Sequence, residues 1–308
     1  MTEEPVLRGD AISELRFALA EADAEDPSEQ LRRRVLETSM EARPQGRGAP
    51  TEHIDGAETL RRTVGILDEL LGSLGQDEWS RPALRNLDAQ GLLGHLMGVE
   101  TSFLAALDGD KAAGQADHVA STQPTALGQA GRDPSETLEE WRRLTAAALE
   151  RAGCEDPDAV VPFYGVELPL DQLLVVRTFE MWIHDEDIRR ATGRPLVAPD
   201  PARLARMTDL AVTLLPAGMA LAERARPGKR VRLVLTGSGG GTWDVSLGGA
   251  PDGSAPSSQW DSRVIVDSTA FCRIVGNRED RVGADAVVDG DDHLASDVFA
   301  GAAALALD

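Results

Sequence analysis

LDQLLVVRTFEMWIHDEDIRRAT, residues 170–192, decides how this chain folds. Read as a helix it begins near Pro169 and stops at Gly193 and Pro195, since glycine accepts the left-handed closing conformation and proline cannot continue the ladder. Its inward stripe runs Leu173, Val176, Glu180, Ile183 with His184, then Asp187. A carboxylate in the middle of an apolar stripe costs on the order of several kcal/mol unless it is paired or holds a metal. Glu180 and His184 are four residues apart, so their heads meet on one face and can share an ion.

Three more amphipathic helices precede it. From Ala57 to near Gly75, Leu60, Val64, Leu67, Leu70 and Leu71 form one face. A second helix runs from Asp88, its N-cap, to Leu107 before the Gly109 turn. A third opens on Asp133-Pro134 with Glu136 completing a capping pattern, carries Leu138, Trp141, Leu144 and Leu149, and stops at Gly153. Four such helices predict a bundle. A further helical region, 201–226, is expected to kink or break at Pro216.

After Gly228 the periodicity changes to two. VRLVLTG (231–237) and TWDVSLG (242–248), joined by GSGGG, read as a hairpin; SRVIVD (262–267) and ADAVVDG (284–290) read as further strands. A short helix at 268–276 and a closing helix, HLASDVFAGAAALAL (293–307), complete the pattern. The fold class is therefore α+β, a four-helix bundle followed by a small α+β domain. The expected divisions are an N-terminal extension and linker at 1–52, the bundle at 53–196 and the α+β domain at 197–308. Within the extension, Ala11–Glu21 and Pro27–Met40 have short helical periodicities.

The 308 residues carry 31 Lys+Arg against 52 Asp+Glu, a net charge of −21, which opposes binding to nucleic acid or anionic lipid. The start, MTEEPVLRGD, has neither a basic nor an apolar leader region, and no uninterrupted run of about 18 apolar residues occurs, so a cytoplasmic protein is expected. Cys154 and Cys272 form no CxxC and are expected to be inert.

His95 lies in QGLLGHLMGVETSF with Leu92, Leu96, Val99 and Phe103 on its face, so it points inward. Joined to Glu180 and His184 it makes a set of two imidazoles and one carboxylate, as in zinc sites that keep a fourth position open. The same donors suit iron or nickel, and a metal-free ion pair of Glu180 with His184 or Arg177 is the alternative. Asp187 reads as an acceptor orienting an imidazole, or as a solvated acid. His53, His118 and His293 lie in polar or loop contexts and are expected to be solvated, and Tyr164 is a candidate pocket residue.

These residues carry a resemblance. A W-x-x-P segment (Trp79–Pro82), a helix bearing His95-Leu96, and E-x-x-x-H-x-x-D before A-x-G (Glu180, His184, Asp187, Ala191, Gly193) together resemble the mycothiol-dependent maleylpyruvate isomerase family over roughly 55–308. The resemblance implies a DinB-like metal-binding four-helix bundle and a C-terminal domain related to sterol carrier proteins, with His95, Glu180 and His184 as the metal triad. It implies a divalent metal, Zn2+ first, and mycothiol as thiol cosubstrate adding to a small electrophile. In the isomerase reaction that electrophile is a cis-enoyl diacid, which rotates and eliminates to the trans product; in an S-transferase the adduct is released. Asp187 and Arg278 are the expected catalytic residues, with Arg273 competing for contact with an anionic substrate. The sequence departs from the family at Arg85-Asn86-Leu87-Asp88, where members carry a tryptophan. A metal-dependent hydrolase and a non-catalytic DinB-like binding or regulatory protein are the alternatives. No nucleic-acid or membrane partner is expected, and the chain is expected to be a monomer or homodimer.

Overall fold

The computed structural model describes Ser28 and residues 45–47, 50–248 and 260–306, which apart from Ser28 belong to one compact unit spanning 45–308. The two short helices expected within residues 11–40 lie outside the described residues.

The bundle is made by α1 (Gly56–Gly72), α2 (Ala89–Leu107), α5 (Pro134–Ala152) and α6 (Leu170–Thr192), with α3 (Lys111–Gln115) and α4 (His118–Leu127) between the second and third. Two small hairpins, β1/β2 (Pro82–Leu84, Leu87–Asp88) and β3/β4 (Val160–Phe163, Val166–Pro169), lead into α2 and α6. The β1/β2 turn places Arg85 at φ 53, so the approach to α2 is a tight hairpin. Then come α7 (Pro201–Leu221), β5 (Arg230–Thr236), β6 (Gly241–Ser246), β7 (Ser262–Asp267), α8 (Ser268–Val275), β8 (Val287–Gly290) and α9 (Asp292–Ala303). The four late strands form one sheet in the order β6-β5-β7-β8, with β5 and β7 parallel and the other pairs antiparallel. The fold class is α+β.

Much of the aspartate excess starts helices. Asp55, Asp88, Asp110, Asp117, Asp133, Asp200, Asp267 and Asp291 each accept a backbone N–H at the start of the helix that follows. Each such cap contributes about 1 kcal/mol. At the far end of α6, Gly193 closes the helix at φ 69.

Two apolar cores result. Leu67, Leu92, Leu96, Phe103, Trp141 and Leu173 fill the bundle, while Leu215, Leu233, Leu235, Val264, Phe271 and Val298 fill the space between α7, the sheet, α8 and α9. A third cluster joins α6 (Val175, Trp182, Ile183) to α7 (Leu204, Met207, Leu210) and Cys272 of α8. α6 is thus covered on two sides, which explains why its apolar residues are not confined to one stripe.

Helix α7 differs from expectation. It runs unbroken through Pro216 and ends at Leu221, because Leu215 and Met219 on either side of the proline are both completely buried. By length and composition α7 is also apolar enough to cross a membrane, but more than half of the apolar window is buried inside this fold. The helices α3 and α4 were not expected. Their segment is short, polar and interrupted by Pro124, so periodicity gives no signal there.

Candidate metal centre

Four side chains from three helices lie near one another. α2 supplies His95, α4 supplies His118, and α6 supplies Glu180 and His184. Ligand atoms of His95, His118 and Glu180 all lie within 4.8 Å of one another. The His184 ring stands edge-on to His95 with centroids 5.2 Å apart, and the His118 ring is 4.9 Å from His95 on another side.

The orientation of each head is fixed from behind. His95 Nδ1 lies 2.8 Å from the Thr122 hydroxyl of α4, so Nε2 faces the centre. His184 Nδ1 lies 3.1 Å from Asp187 Oδ2, and Asp187 accepts a two-pronged hydrogen bond from Arg278 at 2.8 Å on each oxygen. Burial pushes the Asp187 carboxyl up, but the hydrogen bonds from Arg278 and His184 outweigh it and hold it below its ordinary value. Arg273 grips the neighbouring Glu186 at 2.8–3.1 Å.

Glu180 stands at the middle. Its Oε1 is 2.8 Å from His118 Nε2 and 3.3 Å from His95 Nε2, and its Oε2 accepts from Arg177. Arg177 is fully buried and also donates to Glu100 at 2.9 Å. Desolvation opposes the charge on Glu180, but the Arg177 guanidinium and the imidazoles of His118 and His95 prevail and hold the carboxyl well below its ordinary range. At Glu100 burial wins and the carboxyl is pushed up. Burial likewise lowers the His95 pKa, which keeps the imidazole neutral as metal ligation requires.

The residues fit a cation. His95 Nε2 and His184 Nε2 are buried with no hydrogen-bond partner, although His95 Nε2 makes the 3.3 Å contact to Glu180. Buried polar atoms are normally satisfied, and two orphaned ring nitrogens beside an ionised carboxylate form a donor set for a divalent ion.

The structure therefore brings His95 and Glu180 together with His118, sets the His184 ring beside that of His95, and puts Asp187 with Arg278 behind His184. It corrects the expectation for His118, which is 6% exposed rather than solvated. GHLMG bears on the placement of His118: a Cβ on Gly94 would come within 2.5 Å of Gln129 and one on Gly98 within 3.0 Å of Thr122. These two glycines, four residues apart, let α4 lie close against α2, and that contact carries both His118 and Thr122 to the centre. Tyr164 is buried with its ring 4.7 Å from that of His118.

Beside the centre is a cavity of about 70 Å³ walled by α6, α7, the end of α8 and the tail after α9. His118, Glu180 and His184 are its polar lining; Phe179, Ile183, Leu210, Leu214 and Val275 are among its apolar walls.

Comparison with curated protein sequences gives no match. Among solved structures, a crystal structure of a histidine-to-alanine mutant of the mycothiol-dependent maleylpyruvate isomerase is 12% identical, with a TM-score of 0.50 over 76% of this chain and 91% of that one. A second crystal structure of the mycothiol-dependent maleylpyruvate isomerase is 12% identical, with a TM-score of 0.49 over 72% and 88%. The family model described as the mycothiol maleylpyruvate isomerase N-terminal domain matches residues 60–189, the segment that supplies His95, His118, Glu180, His184 and Asp187. Residues 60–189, the helical body of this chain, are similar to the mycothiol maleylpyruvate isomerase N-terminal domain.

Proposed function

We propose that this chain is a metal-dependent, thiol-using enzyme of the cytoplasm, a mycothiol-dependent isomerase or S-transferase acting on a small electrophile. The observation that carries the reading is the buried His184 Nε2 without a hydrogen-bond partner beside the buried group of His95, His118 and Glu180, at the edge of a cavity. In this reading His95, Glu180 and His184 hold a divalent cation, Zn2+ first, and leave its fourth position open. A bound divalent ion would lower the pKa of an incoming thiol so that it reacts as thiolate at neutral pH.

The remaining roles belong to the chain itself. His118, at 2.8 Å from Glu180 Oε1, orients the carboxylate, and Arg177 keeps it ionised. Asp187 and Arg278, our expected catalytic pair, act as positioning residues that hold the His184 ring. Both cysteines are dispensable, since the thiol arrives with the cosubstrate; Cys272 is buried and its thiol is pushed up by desolvation. We also propose the division into bundle (53–196) and α+β domain (197–308), supported by their separate apolar cores.

The test is consumption of mycothiol in the presence of a panel of electrophiles, with and without a chelator. Chelator-sensitive consumption is expected. Consumption that a chelator leaves untouched would contradict the metal's part, and no consumption by metal-loaded protein across the panel would contradict the thiol chemistry.

A further inference from the structure

Among the described residues, the lining of the cavity beside the candidate metal centre has no arginine or lysine. The cations nearest the site are already committed. Arg177 is fully buried between Glu100 and Glu180, Arg273 is hydrogen-bonded to Glu186 through Nε and Nη2, and Arg278 clasps both oxygens of Asp187. A diacid entering this space would lose its hydration and find aliphatic and aromatic carbon on most sides; one carboxylate could reach the ion that the proposed site holds, but the other would be left without a countercharge. An uncharged chain gains from the same walls.

We propose that the cavity selects an uncharged substrate with a compact alkyl arm, and that the electrophile of this enzyme is a neutral activated alkene rather than a diacid. That the ligand is an electrophile rests on the thiol-using function proposed above; that it is uncharged and apolar rests on the lining alone. At about 70 Å³ the space is roughly half that of an engineered 150 Å³ cavity that takes benzene, so it suits a slender chain of a few carbons. In the addition, the thiol loses its proton and its sulfur forms a bond to the β-carbon of the alkene. The π pair moves to the α-carbon, which takes up a proton, so the net change is addition of S–H across the double bond with no redox partner. The inward faces of Leu210, Leu214 and Val275 would take the alkyl arm.

Isothermal titration of zinc-loaded protein with butyl propionate, the saturated analogue of butyl acrylate, and with maleate tests the choice directly. Butyl propionate is expected to bind tighter than maleate by roughly tenfold or more; equal or tighter binding of maleate overturns the proposal. With mycothiol added, butyl acrylate should be consumed and maleate left. If butyl propionate binds as expected but mycothiol is not consumed with any electrophile, the thiol chemistry fails and the cavity's preference stands. If mycothiol is consumed with maleate and not with butyl acrylate, the thiol chemistry stands and the cavity's preference fails. Leu214→Arg adds a cation to the wall of a partly exposed position and should shift binding toward maleate, while Leu214→Met should not. Unchanged preference in a folded Leu214→Arg protein would also count against the proposal.

Discussion

α6 and α7 are adjacent helices of 23 and 21 residues; both bury apolar side chains, but α6 buries a cluster of charged ones as well. α7 contributes Leu204, Met207, Leu210, Leu215 and Met219 to apolar clusters, and its buried Arg203 sits at the helix start on Asp200 and Thr63. α6 buries Arg177, His184, Asp185, Glu186 and Asp187, with Glu180 close to buried. Hydrocarbon burial stabilises in proportion to area. A buried ion network is nearly neutral at best against apolar residues of the same shape. The polar burial on α6 is therefore not explained by stability, and the metal site proposed above would account for it.

The largest effect should come from breaking the α6 network at its hub. Arg177→Met leaves Glu100 and Glu180 without their shared countercharge and should cost about 3–5 kcal/mol in denaturant unfolding. A loss below about 1 kcal/mol would mean the two carboxylates do not depend on it. On α7, Leu215→Ala should cost about 2–5 kcal/mol through a cavity while metal content stays unchanged. A drop in metal content there would erase the contrast between the helices. His118→Ala should retain the metal but weaken its affinity by roughly 10–100-fold, as loss of an orienting partner does. Complete loss would promote His118 to a ligand.

The smallest effect concerns the α7 cap. Asp200→Ala should cost about 1 kcal/mol at neutral pH. Burial pushes the Asp200 carboxyl up, but hydrogen bonds from the Arg203 side chain and backbone outweigh it, so its folded pKa is lowered. For a depressed carboxyl the contribution is present above the ordinary value of 3.8 and is lost as pH falls through the folded value. The stability gap between wild type and Asp200→Ala should therefore close under acid, and a gap that widened there would reverse the assignment.

The bundle, the sheet-bearing half and the approach of His95 to Glu180 were legible because each rests on periodicity: 3.6 along the helices, two along the strands, and a polar residue where an apolar one belongs. His118 was not legible. Its burial depends on α4 lying against α2, a contact set by Gly94 and Gly98 on one helix and Thr122 on the other, not by any pattern around His118 itself. The roles of Arg273 and Arg278 were also hidden. Glu186 and Asp187 draw them in across 87 and 91 residues of sequence, and no local spacing reports such a partnership. The unbroken course of α7 through Pro216 belongs with them, since burial of Leu215 and Met219 overrides the local cost of proline.

The central claim is tested most directly by elemental analysis of protein purified without chelators or a metal-affinity tag, alongside His95→Ala and His184→Ala. We predict one divalent ion per wild-type chain, and loss of that ion in both variants with helix content retained. Wild-type protein that carries no ion and takes none up on titration with zinc, or variants that keep full occupancy, would contradict the account.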